Sequence, residues 1–240
     1  MSPYSLVKKC LKNFGVYVFR AGNLPRQIDF CADLKKLGLT PQVVFDVGAN
    51  VGQFARGAAS AFPGATIHSF EPVSSTFSKL DDLARQQPCI HPYHLAFGEK
   101  PGEFTMHLRE ESGCNSLSPH NNLAANSIGR SETITVTTID AFCSAKNIPR
   151  IDLLKTDTEG FDNSVLLGAR RMLQESRVGV IFSEVTFLEF DRTHTQFFQL
   201  CDTLRPFGFA VYGAYQPEGD GDTMYCNVLF VQKSHLLQPR

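Results

Sequence analysis

The sequence predicts an α/β protein with a mostly parallel sheet and helices on both faces. Three observations predict it. From residue 43 onward, short apolar runs alternate with helix-like stretches, the pattern of repeated βαβ units. The first apolar run passes into a glycine-rich turn, FDVGANVGQF at 45–54, that opens a helix. The last two runs, 209–215 and 225–231, are joined by the short acidic stretch QPEGDGD, and so short a connection makes that pair antiparallel.

The elements follow in order. Val43–Val47 reads as a strand and 52–61 as a helix. Thr66–Phe70 is a second strand and 74–85 a second helix. A third strand is expected at 90–97, with outer strands at 103–108 and 133–138. The apolar run 152–156 and the helix 163–173 come next, then a strand at 178–184 and a helix at 196–204. One segment breaks the rhythm: SGCNSLSPHNNLAANSIG, 112–129, is rich in Ser, Asn and Gly. A loop longer than about 12–15 residues in a compact domain commonly serves as a lid, and Leu117, Leu123 and Ile128 could pack it down on a ligand. The chain divides into an N-terminal helical extension, 1–40, and one domain, 41–240.

The chain has 240 residues, 42% hydrophobic and 20% charged, enough for one domain with a sizeable core. Lys plus Arg (23) and Asp plus Glu (24) nearly cancel, so no nucleic-acid partner is expected. No apolar run approaches the ~20 residues that span a bilayer. The N-terminal residues show no secretory pattern. The seven cysteines, 10, 31, 89, 114, 143, 201 and 226, form no CxxC pair. Scattered thiols suit the cytoplasm better than a disulfide framework or zinc site. SLVKKCLKNFGVYVFR carries four basic residues, no acidic ones, and helical spacing at Leu6, Cys10, Leu11 and Phe14. It is read as a helix packed on the domain, with weak contact to a membrane surface as the alternative.

The turn carries the cofactor question. A dinucleotide fingerprint is GxGxxG. Here the spacing is Asp46-x-Gly48-x-x-x-Gly52. A carboxylate two residues before the first glycine repels a pyrophosphate and attracts an ammonium group. S-adenosylmethionine carries an amino-acid tail and a sulfonium, and no phosphate. The second strand runs into Phe70-Glu71-Pro72, which sets a carboxylate where it can accept both ribose hydroxyls. Asp46, the wider glycine gap and Glu71 together favour the methyl donor, with Asp46 and the turn's N–H groups facing its amino-acid end.

At this point the chain resembles the FkbM family of S-adenosylmethionine-dependent methyltransferases. The resemblance rests on VVFDVGANVGQF, IHSFEP, HLAFGEKPGEF, NSL, TTIDAF, IDLLKTDTEGFDNSVLLGARRML, FSEV and YCNVLFV, in order from about residue 40 to the end. It implies the class I fold: a Rossmann-like three-layer sandwich with a seven-stranded, mostly parallel sheet and an antiparallel last strand. It implies O-methylation of sugar, glycolipid or secondary-metabolite hydroxyls. It implies cofactor contacts from Asp46, Gly48, Ala49, Asn50, Gly52, Glu71, Pro72 and Asp157, with Leu95 and Ala96 facing the adenine. Asn115 and Ser116 match the family's NSL block and fall in the lid. KTDTEG stands where KIDVEG is commoner, and Cys226-Asn227 where Asp-Ala is frequent.

Ligands of open α/β sheets bind beyond the carboxyl ends of the strands, so TDTEG borders the transferred methyl group. Asp157 is open to three roles: holding the methionine amino group, removing the acceptor proton, or binding a divalent cation. Helix N-terminal stabilisation is its plain structural alternative. Glu159 and Glu184 are further catalytic candidates, and His194 follows in a loop. His68 and His94 read as structural. No HxH, HxxxH or HExxH spacing occurs, so no dedicated zinc site is expected. Methyl transfer is an in-line displacement in which positioning dominates. A hydroxyl acceptor also gains from a general base, with Asp157 first and Glu184 or His194 behind it. The rivals are an NAD-linked oxidoreductase on the same sheet and a non-catalytic cofactor-binding scaffold.

Overall fold

The computed structural model describes residues 27–109, 127–219 and 224–236. The basic stretch before residue 27 and the centre of the expected lid, with Asn115 and Ser116, lie outside them. Seven strands form the main sheet: β1 (Val43–Val47), β2 (Thr66–Phe70), β3 (Ile90–Tyr93), β7 (Ile151–Thr156), β8 (Val178–Thr186), β9 (Phe209–Glu218) and β10 (Tyr225–Gln232). Their order is β3-β2-β1-β7-β8-β10-β9. The pairs from β3 to β8 are parallel. β10 runs antiparallel to both its neighbours. This is the class I methyltransferase sheet that the sequence led us to expect.

Both faces of the sheet are covered. Along β1, Phe45 and Val47 enter one core and Val44 the other; along β7, Leu154 and Leu153 divide likewise. The two-residue period sends neighbours to opposite faces, and burial on both faces explains why these strands read as continuous apolar runs. One core is closed by α4 (Ile139–Ala145), α5 (Asp162–Leu167), α6 (Arg170–Gln174) and α7 (Phe197–Leu204). The other is closed by α1 (Phe30–Lys36) and α2 (Gln53–Ala61). Phe30 of α1, inside the expected 1–40 extension, stacks on Phe182 of β8 at 4.2 Å.

Two elements differ from expectation. The strand at 90–97 is two strands. β3 stops at Tyr93, the chain bends at His94, and β4 (Ala96–Phe97) joins a separate three-stranded sheet, β4-β6-β5. Pro92 lies in β3 on the sheet edge, where a strand tolerates proline. The partners in the small sheet are β5 (Gly102–Arg109) and β6 (Ser127–Thr137). β6 therefore takes in 127–129, the end of the expected lid. The helix at 163–173 is also two, broken after Leu167. A Cβ at Gly168 would lie 2.1 Å from the Gly98 carbonyl oxygen, so close backbone contact fixes the kink there. α3 (Ser74–Gln86) completes the fold beside β3. Among the described residues no helix is long and apolar enough to cross a membrane.

Candidate active site

A cavity of about 320 Å³ opens at the carboxyl edge of the parallel strands. Its floor is Val47, Gly48 and Asn50 after β1, and Phe70, Glu71, Pro72 and Val73 after β2. The small sheet supplies a wall of Ala96, Phe97 and Met106. Asp157, Thr158, Glu159 and Phe161 follow β7, and Glu184 and Tyr225 close the far side. Eight residues named from sequence thus meet in one cleft: Gly48, Asn50, Glu71, Pro72, Ala96, Asp157, Glu159 and Glu184.

Five others do not line it, His194 among them. Asp46 is fully buried beneath the turn. Ala49 is buried. Gly52 faces Leu80 and Leu83 of α3, and Leu95 packs on the large core. The turn's amides are also committed. Gly48 and Ala49 N–H groups both donate to the Phe70 carbonyl at 3.1 and 2.9 Å, and Gly52 N–H to the Ala49 carbonyl at 2.8 Å. Asn50 N–H donates to Glu71 Oε2 at 3.0 Å. The Gly48, Ala49 and Asn50 amides hold the turn onto the end of β2 and onto Glu71, and the Gly52 amide closes the turn on itself. Gly48 has φ +74°, and a Cβ there would lie 1.9 Å from the Asp157 carbonyl oxygen, so only glycine lets β1 and β7 end side by side.

Glu71 accepts from Asn50 and, through Oε1, from Val73 N–H at 2.9 Å. Burial pushes its carboxyl up to about 7 against the pull of those two donors. Carboxylate oxygens hold about four acceptor positions, so capacity remains for two ribose hydroxyls.

At the opposite end the charge is negative. Asp157, Glu159 and Glu184 each bring one oxygen within 4.8 Å of the others, a set that could hold a divalent cation or an ammonium group. Burial, then repulsion from Asp157, Glu159 and Asp162, pushes Glu184 up to about 10. His194 lies behind Glu184, its Nε2 3.9 Å from a Glu184 oxygen. Nδ1 pairs with Asp191 Oδ2 at 2.8 Å, and the ring stacks on Tyr225 at 4.3 Å. Asp191 in turn accepts the Thr193 N–H at 2.7 Å, which fixes the loop. His68 stacks among His91 and Tyr93 in the strand region, and His94 stacks on Phe77, both away from the cleft.

Sequence reasoning missed Lys155, Asp191, Tyr225 and the apolar wall. Lys155 had a signal: one lysine in the apolar strand IDLLKT, two residues before Asp157. A lysine in such a strand is rarely buried unless paired.

The strand order, the antiparallel β10 and a ligand cleft at the carboxyl edge define a class I methyltransferase domain. A sequence profile of the FkbM methyltransferase domain matches residues 46–211, and the chain belongs to that family. S-adenosyl-L-methionine is the family's cofactor, and Glu71, the apolar wall and the acidic end fit its ribose, adenine and cationic tail. A 38-residue stretch is 53% identical to 31-O-demethyl-FK506 methyltransferase FkbM of Streptomyces tacrolimicus. That match spans 16% of this chain and 15% of that protein's length. Fibrillarin of Aeropyrum pernix, solved with S-adenosyl-L-methionine, is 11% identical at a TM-score of 0.46, over 80% of this chain and 67% of that one. The 1,6-didemethyltoxoflavin-N1-methyltransferase of Burkholderia thailandensis is 13% identical at 0.47, over 83% and 74%.

Proposed function

We propose that the protein transfers a methyl group from S-adenosylmethionine to a hydroxyl of a sugar, glycan, glycolipid or secondary metabolite. The observation that carries the reading is the polarity of the cleft. Glu71 stands at one end as a ribose acceptor, and three carboxyls converge at the other, where a cationic tail and a reacting hydroxyl meet. The name of the Streptomyces relative, which acts on a 31-O-demethyl compound, supports oxygen as the acceptor atom. Four of the turn's amides, those of Gly48, Ala49, Asn50 and Gly52, are bonded internally, which speaks against a pyrophosphate and so against NAD.

When bound, the cofactor supplies an electrophilic methyl group on a positively charged sulfur. Glu71 accepts the ribose hydroxyls. Phe70, Phe97 and Met106 exclude water from the adenine region. Asp157 holds the amino group. Glu184 takes the acceptor's proton as the oxygen–methyl bond forms. Burial, then repulsion from the neighbouring acids, pushes Glu184 up to about 10, so it must give up its own proton before it serves as base; Asp157 lies 3.3 Å from the Lys155 ammonium. Positive charge in the cleft favours the ionised Glu184 for that step. His194, oriented by Asp191, stands behind it with Nε2 3.9 Å from a Glu184 oxygen. Glu184 is the base this reading favours, beside Asp157, the first choice on sequence.

Titration calorimetry with S-adenosylmethionine, S-adenosylhomocysteine and NAD tests the cofactor, and labelled methyl transfer into glycan and lipid fractions tests the acceptor. Binding of NAD alone would remove the proposal. Glu184→Gln should lower kcat by about 10²–10⁴-fold with cofactor affinity kept. A second reading has Asp157, Glu159 and Glu184 hold a divalent cation that acidifies the hydroxyl. Full activity after exhaustive chelation excludes it.

A further inference from the structure

We infer that Lys155 is the positioning residue of the cofactor cleft and that Asp46 is its buried counter-charge, not a ligand of the cofactor. The inference rests on the cofactor reading above. Lys155 lies directly opposite Asp46 across the β1–β7 ladder. Its side chain is 7% exposed. Nζ donates to the Gly48 carbonyl at 3.0 Å. It lies 3.3 Å from Asp46 Oδ1 and 3.3 Å from Asp157 Oδ2, and 5.7 Å over the Phe54 ring. One side chain therefore ties together the two lips of the cleft, the turn after β1 and the end of β7.

The charges explain the arrangement. A buried ammonium is expensive unless paired, and so is a buried carboxylate. Asp46 is fully buried, and burial pushes its carboxyl up against the pull of the Lys155 ammonium and the Ala55 N–H. Lys155 is its compensation, at ion-pair distance. Asp157 is different: its side chain is 36% exposed and it lines the cleft. One ammonium between two carboxylates leaves a net charge of −1, and that excess is presented where a ligand can reach it. Glu71, Glu184, Glu159 and Asp162 surround the same region. Among these acids, Lys155 is the group that fixes the direction of Asp157. A ligand bearing an ammonium group completes the pairing from the cleft side. Without Lys155, Asp157 loses its anchor and the Gly48 carbonyl its donor, while Asp46 becomes an unpaired buried charge.

Three variants of the full chain test this: Lys155→Met, Asp46→Asn and the two combined. The readouts are the melting temperature and the Kd for S-adenosylmethionine and S-adenosylhomocysteine by calorimetry. Lys155→Met should melt lower and bind both ligands about ten- to a hundredfold more weakly, the worth of one charge-assisted contact. The combined variant should recover most of the melting temperature, because no unpaired charge remains, yet keep the weak binding. Asp46→Asn alone should bind within about threefold of wild type, a difference of under 1 kcal/mol. If affinity returns together with stability in the combined variant, Lys155 acts through folding alone and the inference fails. If Asp46→Asn loses as much affinity as Lys155→Met, Asp46 is itself a ligand and the inference fails again. Should Lys155→Met not fold, the other two variants still decide. Failure of the wild-type protein to bind either ligand removes the cofactor reading first and this inference with it.

Discussion

Gly38 and Gly48 share a φ of +74° but differ in their surroundings, which makes them a matched pair for alanine substitution. Gly38 follows α1 and has no atom within 4 Å of the Cβ it would gain. Gly38→Ala therefore measures left-handed strain alone, about 1–2 kcal/mol. Gly48→Ala suffers the same strain, and its Cβ falls 1.9 Å from the Asp157 carbonyl oxygen and 2.9 Å from the carbonyl carbon. Both are backbone atoms and cannot rotate away. The end of β7 must move, which breaks the Asp157 N–H bond to the Val47 carbonyl, now 3.1 Å. Overpacking costs about 1–3 kcal/mol and the lost hydrogen bond about 1, so Gly48→Ala should be about 2–4 kcal/mol less stable than Gly38→Ala. Equilibrium urea unfolding at unchanged m measures the difference. If the two variants lose the same stability within about 0.5 kcal/mol, the close approach of the two strand ends is wrong. The shape of the cleft floor is then wrong as well.

Glu71 sets a pH dependence with two opposite signs. Its folded pKa of about 7 lies above its ordinary 4.5, so its contribution to folding is present below 4.5 and is lost as pH rises through 7. Ribose binding needs the carboxylate, so cofactor affinity should rise with pH up to about 7, and Glu71→Gln should flatten that profile in calorimetry. Tyr215→Phe removes the hydroxyl that donates to buried Asp33 at 2.9 Å. It should cost about 1–2 kcal/mol in urea unfolding, and an unchanged midpoint would contradict that bond.

Much of this was legible in the sequence because it depends on local periodicity. The strands of the main sheet are apolar runs of the right length, and the short link before Tyr225 forces the antiparallel pair. The acids Glu71, Asp157, Glu159 and Glu184 were legible because each follows or ends such a run, and strand ends share one edge in a parallel sheet. What was hidden depends on contacts between distant segments. The pattern of 163–173 continues through Gly168, and only the approach of Gly98 breaks the helix. The spacing DxGxxxG looked like an array of free amides, but the Phe70 carbonyl takes two of them. Asp46 was legible as a residue, while its ion-pair partner, Lys155, comes from another strand. His194 was visible as a residue, while its orientation by Asp191 depends on how the loop folds back.

The cleft is enclosed by two sheets with separate cores. Val73, Met106, Ile134 and Val136 form a small cluster of their own, apart from the two large cores of the main sheet. Ribose and charge recognition sit on the large sheet, while Ala96 and Met106 of the outer wall belong to the small one. The two units are nonetheless joined: Phe97 of the wall packs in the large core against Phe70, and Val73 of the small cluster donates its N–H to Glu71. The pocket read here for the adenine is thus built jointly by both packing units, and changes at Ala96 or Met106 act on the methyl donor itself.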